Sequence, residues 1–291
     1  MSKIPENYGG LSPEHSSYEN SVAAILPVPF DMTSSYQIGS DRGPKAILDA
    51  SGHVELYDIE TKSEVYKRGI FTAAPVIAKT SKEMIDLTYR ETKKLLGDDK
   101  FVITLGGEHA ISPAPIRAHA EKFGNISILQ FDAHTDLRDS YEDDKLSHAS
   151  AMARALEIPG VERLVSVGIR AIDVCELPAI KPENTFFAED IYEGTAWIPK
   201  VVERLGPKVY ISFDLDVFDP SVLPATGTPE PGGLHWYQCL ALLKAVALKR
   251  EIVGSDVVEL MPLEGEASSD FLAAKLVYKI LTYKFELASN I

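Results

Sequence analysis

Along the chain, short apolar runs alternate with longer stretches in which apolar positions recur every three or four residues. The runs at 21–28, 69–76, 101–105, 126–131, 163–169, 208–213 and 252–259 are rich in β-branched residues. Several are unbroken by polar positions, which predicts strands covered on both faces. Between them the apolar period predicts amphipathic helices at 81–96, 113–123, 148–157, 198–205, 236–249 and 268–283. Ser81, with Glu83 and Met84 after it, marks a helix start and Gly97 its stop. Strands alternating with helices predict an α/β layer sandwich around a mostly parallel sheet. No linker, low-complexity tract or repeat interrupts the pattern, so residues 1–291 are expected to form one domain. Ligands of such sheets sit beyond the carboxyl ends of the strands, so the chemistry is expected there.

Composition narrows the field. At 45% apolar residues the chain can bury a sizeable core. No run approaches the roughly 18 apolar residues of a membrane span, and the first residues lack the basic-then-apolar pattern of a secretory signal. Only two cysteines are present, Cys175 and Cys239, in exposed-looking surroundings without a base or second cysteine nearby. Both are read as structural, and a reducing cytoplasm is the expected location. The net charge of −14 argues against a nucleic-acid partner, which requires a basic face. It leaves open whether the acid excess serves solubility or a cationic ligand.

Three predicted strands end in residues that bind metals. The first closes as Leu105-Gly-Gly-Glu-His109, where the glycines permit a sharp turn or a close approach. His109 has a structural alternative, and Glu108 reads equally as a carboxylate favoured by a helix start. The second runs Phe131-Asp132-Ala-His134-Thr-Asp136. If it stays extended, its period of two puts Asp132, His134 and Asp136 on one side. The bland alternative is a solvated acidic turn. The third runs Phe213-Asp214-Leu-Asp216, and Asp219-Pro220 behind it reads as a turn start. The Pro- and Gly-rich stretch 223–233 then forms a rigid rim over the strand ends.

These ends supply four aspartates and two histidines. Converging carboxylates would repel and desolvate one another, and a divalent cation removes that conflict. Mixed carboxylate and imidazole ligands without cysteine suit manganese, with iron, cobalt, nickel or zinc as substitutes. Six ligands are too many for one open ion and suit a pair, which points to hydrolysis.

With the Thr226-Gly-Thr-Pro-Glu-Pro-Gly-Gly233 loop, this trio of motifs resembles the ureohydrolases, the family of arginases and agmatinases. Pro29-Phe-Asp31, Gly43-Pro-Lys-Ala-Ile47 and Val257-Val-Glu-Leu-Met-Pro262 extend the resemblance nearly end to end. It implies a three-layer α/β/α, arginase-like fold with a mostly parallel eight-stranded sheet and two Mn(2+) ions per subunit. Carried over by position, His109, Asp132, Asp136 and Asp214 would bind one ion. Asp132, His134, Asp214 and Asp216 would bind the other, and a hydroxide bridging the ions would attack the guanidinium carbon. Glu259 would pair with the guanidinium and His148 would pass a proton to the leaving amine. Asp173 would help receive the substrate amine, and Thr228 in the rim loop would line the site. The resemblance further implies a homo-oligomer, a trimer or hexamer.

Arginases usually carry asparagine two residues beyond the His-Thr-Asp motif; here Arg138 stands there. The loop from Arg138 to Ser147 holds four acids against two bases, a field expected to favour a cationic chain. The Ser147-His-Ala-Ser150 stretch and the rim loop look most like agmatinases, although Leu260-Met-Pro262 replaces the usual Val-Asn-Pro. The expected reaction is agmatine plus water to putrescine plus urea, a step of polyamine biosynthesis. Arginine, guanidinobutyrate or another small guanidine are alternative substrates. A metal-binding regulatory or assembly subunit without turnover is the alternative of another class.

Overall fold

In a computed structural model, residues 6–287 are described. Eight strands form one sheet: β1 (Ala23–Val28), β2 (Ile70–Thr72), β3 (Phe101–Gly106), β4 (Ile126–Phe131), β5 (Val161–Ile169), β6 (Thr185–Phe187), β7 (Lys208–Asp214) and β8 (Glu251–Val258). Their order is β2-β1-β3-β8-β7-β4-β5-β6, and each pairing is parallel. The helices are α1 (Pro13–Ser16), α2 (Gly43–Ser51), α3 (Ser81–Gly97), α4 (Pro113–Phe123), α5 (Ala151–Leu156), α6 (Ala188–Ile191), α7 (Ile198–Arg204), α8 (Trp236–Lys249) and α9 (Ser268–Thr282). No helix among the described residues is long and apolar enough to cross a membrane.

The strands alternate their side chains between two cores, which gives three layers. In β3, Phe101, Ile103 and Leu105 join the core containing Ile47, Val201, Leu242 and Leu276, beneath α2, α7, α8 and α9. Val102, between them, joins Met84, Leu95 and Ala118 beneath α3 and α4 on the other face. The expected elements recur, those at 113–123, 126–131 and 236–249 with the expected limits and the rest with shifted ones. The run at 69–76 forms a strand only over Ile70–Thr72, and helix 148–157 is a 3-10 turn followed by α5. Helix α3 starts at Ser81 and stops at Gly97 as expected, with Thr80 as its cap, its hydroxyl accepting from the Glu83 N–H at 3.2 Å. Strand β6 and helices α1, α2 and α6 escaped the apolar pattern. Cys175 is exposed, but Cys239 is buried inside α8, contrary to its exposed-looking surroundings.

The carboxyl ends of β1, β3, β8, β7 and β4 meet along one edge, where the order of the chain through the sheet reverses. Gly107 sets how closely two of them approach. A Cβ there would lie 2.0 Å from the Phe30 carbonyl oxygen, so only glycine lets the chain after β3 lie against the chain after β1. Gly107 N donates to Val28 O at 3.0 Å, and Glu259 N donates to Gly107 O at 2.7 Å. Gly107→Ala should therefore lower stability by about 1–3 kcal/mol through overpacking. An unchanged urea-unfolding midpoint would contradict this close approach.

Candidate metal and substrate site

The six ligand-type side chains named from the motifs meet at these strand ends. His109 Nδ1 lies 2.9 Å from Asp136 Oδ2, 3.2 Å from Asp132 Oδ2 and 3.3 Å from Asp214 Oδ2. His134 Nδ1 lies 2.8 Å from Asp216 Oδ2 and 3.7 Å from Asp132 Oδ1. Two overlapping groups result, His109–Asp132–Asp214 and Asp132–His134–Asp216, with their ligand atoms within 4.8 Å of one another. Asp132 belongs to both. The extended geometry expected for 132–136 does not hold, because β4 stops at Phe131 and Asp136 takes a left-handed backbone (φ 52°). The three side chains converge by turning.

Backbone N–H groups and buried amides aim these carboxylates. Asp132 accepts from His134 N at 2.6 Å and from Gln130 Nε2 at 2.8 Å. Asp214 accepts from Asp216 N at 2.8 Å, and Asp216 accepts from Ala133 N at 2.9 Å. None of the four aspartates has a lysine or arginine partner among the described residues. At 4.8 Å and an effective dielectric near 20, two carboxylate charges repel by roughly 3 kcal/mol. Burial, then the charges of Asp216 and Asp136, push the Asp132 carboxyl up to about 7. Burial, then Asp216 and Asp132, drive Asp214 well above the carboxylate range. Against its burial, the adjacent His134 holds Asp216 below that range.

His109 supplies an independent sign that the cluster is built for cations. Tyr210 Oη and Ser212 Oγ both donate to Asp256, at 3.0 and 2.8 Å. With its proton committed there, Ser212 Oγ can only accept from His109 Nε2, 2.9 Å away. His109 Nδ1 faces three carboxylates, Asp132, Asp136 and Asp214, which against its burial drive the imidazole well above the usual range. Only a positive charge relieves this arrangement, and a divalent cation fits the donor set.

Beside the cluster opens a cleft of about 310 Å³, lined by His109, His134, Asp136, Asp214 and Asp216 together with Glu259, His148, Asp173 and Thr228. All the residues carried over by resemblance except Asp132 thus line one cavity, and Asp132 lies beneath it, fully buried. Glu259 falls just past β8 with φ 66°, its Oε1 accepting from His109 N at 2.6 Å. Burial and the nearby Glu108 charge raise its carboxyl well above the usual range. Asp173 sits at the outer end, capping a 3-10 turn through Cys175 N at 2.9 Å.

Two expectations need correction. Glu108 does stand at the start of the 3-10 turn His109–Ile111, but its carboxylate makes no cap bond; fully buried, it accepts from the N–H and hydroxyl of Thr33 at 2.8 and 2.9 Å. The acids of the 138–147 loop do not line the cleft. Asp139 turns sideways to Lys145 and Arg154 instead. The acidity facing a ligand comes from Asp173, Glu176, Glu230 and Glu259. The N-terminal wall, Ser34 to Gln37, was missed, although Pro29-Phe-Asp31 lies next to it. Buried Gln130, Ser212 and Asp256 were missed too, since polar letters inside apolar strands give no hint of their partners.

Residues 21–282 match the Arginase family. The chain belongs to that family. Its relatives within the family include an N(1)-aminopropylagmatine ureohydrolase of Thermus thermophilus, 39% identical over 92% of each chain. The agmatinase of Bacillus cereus is 33% identical, over 96% of this chain and 98% of that one. The solved agmatine ureohydrolase of Thermoplasma volcanium superposes with a TM-score of 0.85, covering 98% of this chain and 96% of that one at 29% identity. The sheet described above is therefore the arginase-family fold.

If the cluster takes cations, adding manganese to metal-free protein should raise its melting temperature by about 5 °C or more, since an ion at 100-fold its Kd contributes about 2.7 kcal/mol. Asp132→Asn should remove most of that rise. An equal rise in wild type and variant would show that the ion binds elsewhere.

Proposed function

We propose that this chain hydrolyses a small cationic guanidine, agmatine first among them, to urea and an amine. The observation that carries the proposal is the convergence of four buried carboxylates and two imidazoles, without basic partners, on the floor of a cleft. His109, Asp132, Asp136 and Asp214 would hold one divalent ion, and Asp132, His134, Asp214 and Asp216 a second. Manganese is the ion their donor atoms suit best. When bound, such ions neutralise the carboxylates and make hydroxide available near neutral pH.

The chain's own residues supply the rest. Glu259 has one carboxylate oxygen fixed by the His109 N–H, which leaves the other to receive a guanidinium N–H. His148 lies on the cleft wall, and burial holds its imidazole below the usual range. It is the group available to pass a proton to the amine as the carbon–nitrogen bond breaks. Thr228, on the rim loop, lines the same cleft.

The sign of the substrate's tail follows from Arg138. Its guanidinium lies 3.4 Å from Asp173 and 4.0 Å from Glu176, and stacks 5.0 Å from the Tyr141 ring centroid. Two carboxylates outweigh its single charge. An incoming carboxylate such as arginine's would meet that net negative charge, whereas an ammonium is welcome beside Asp173. This supports agmatine over arginine or guanidinobutyrate. A second reading is agmatine extended by an aminopropyl group, favoured by the names of relatives 35% and 39% identical. Glu230 at the cleft's rim offers a further carboxylate for the added amine.

Purified, manganese-loaded protein is expected to release urea from agmatine or its aminopropyl derivative with a kcat/KM at least about tenfold above that for arginine, a difference of about 1.4 kcal/mol. Faster arginine turnover would reverse the substrate assignment. No urea from any guanidine at millimolar concentration would leave the non-catalytic alternative.

A further inference from the structure

Thr33, in the loop after β1, has no part in the roles assigned above. Yet it joins segments 75 and 115 residues apart in the chain. Its Oγ1 lies 2.9 Å from Glu108 Oε1 and 3.3 Å from His148 Nδ1. It also accepts from the His148 backbone N–H at 3.0 Å. Glu108 is fixed in turn, for Thr33 N donates to its Oε2 at 2.8 Å and the carboxylate is fully buried.

A hydroxyl offers one proton and two lone pairs. Thr33 Oγ1 donates to Glu108 Oε1, since the ionised carboxylate, though burial raises it to about 7, can only accept. Both lone pairs then face donors: the backbone N–H of His148 and its ring Nδ1. That ring nitrogen must therefore carry a proton, and Nε2 is left as the exchangeable nitrogen of a residue that lines the cleft.

We propose that Thr33, oriented by Glu108, is a positioning residue that fixes the tautomer of His148 for proton transfer. The inference rests on the reading of His148 as the proton donor. In the step itself, the oxygen of water first bonds to the guanidinium carbon. The carbon–nitrogen bond then breaks with its electron pair passing to the leaving nitrogen, and the added oxygen becomes the carbonyl of urea. That nitrogen takes the proton from Nε2 of the imidazolium. The ring returns to neutral with its Nδ1–H still held by Thr33. Without the hydroxyl, the ring can rotate and populate the other tautomer, as when the orienting partner of a catalytic histidine is removed.

The test compares Thr33→Val, which keeps the branched shape, with Thr33→Ser, which keeps the hydroxyl. General acid catalysis contributes about 10²–10⁴-fold, so Thr33→Val should lower kcat by about tenfold or more while KM stays within about threefold. Thr33→Ser should remain within about threefold of wild type in both. Long-range proton–nitrogen NMR of His148 gives a readout independent of turnover and of any folding defect in the valine variant. Wild type should show the proton on Nδ1, and Thr33→Val a mixture. A wild-type proton on Nε2, or a valine variant with unchanged kcat, overturns the proposal. His148→Asn separates the two levels: if it turns over as fast as wild type, the reading of His148 fails. If it is impaired while Thr33→Val is not, the role of Thr33 fails.

Discussion

Four carboxylates brought together out of water, with no lysine or arginine among them, are the constraint around which this protein is organised. Each charge in such a group opposes the others, and burial opposes all of them. The protein does little to relieve that conflict internally. Asp132 and Asp214 are pushed toward protonation, and the His109 imidazole beside three acids is pushed toward its charged form. Its backbone N–H groups, Gln130 and Ser212 aim the ligands but add no positive charge. Cations would complete the arrangement, and the same field would then draw the proposed cationic guanidine into the cleft.

Holding like charges together requires a stiff support. The parallel sheet provides it by ending β3, β7, β8 and β4 side by side, each buried on both faces, so the ligand-bearing segments start from fixed positions. Close approach at Gly107 locks the chain after β1 and the chain after β3 against each other. Asp136 and Glu259 both adopt left-handed backbones that side chains disfavour. Such conformations store about 1–3 kcal/mol each and persist only where the surroundings over-determine them. Both lie in the site, which places the strain where chemistry needs a fixed geometry.

Much of this was legible in the amino-acid sequence, and for physical reasons. A fully buried strand leaves an unbroken apolar run, and acids directly after such a run have few reasons to be there other than ligation. Hence Asp132, Asp214 and their neighbours could be named from the motifs. What stayed hidden depends on contacts distant in the chain. Nothing local tells that Glu108 answers Thr33 across 75 residues, or that Asp256 directs the proton of Ser212. Strand β6 is three residues long and half-buried, too short to show a period. The acidic 138–147 loop misled in the other direction, because composition counts charges without saying that Asp139 faces Lys145 and Arg154 rather than the cleft.

Whether a pair of divalent ions completes the cluster is read directly by equilibrium titration of metal-free protein with manganese, counting ions bound and protons released. Two ions per chain should bind with net proton release, because carboxyls held toward protonation must ionise to ligate. A single ion per chain, or binding without proton release, would contradict the account.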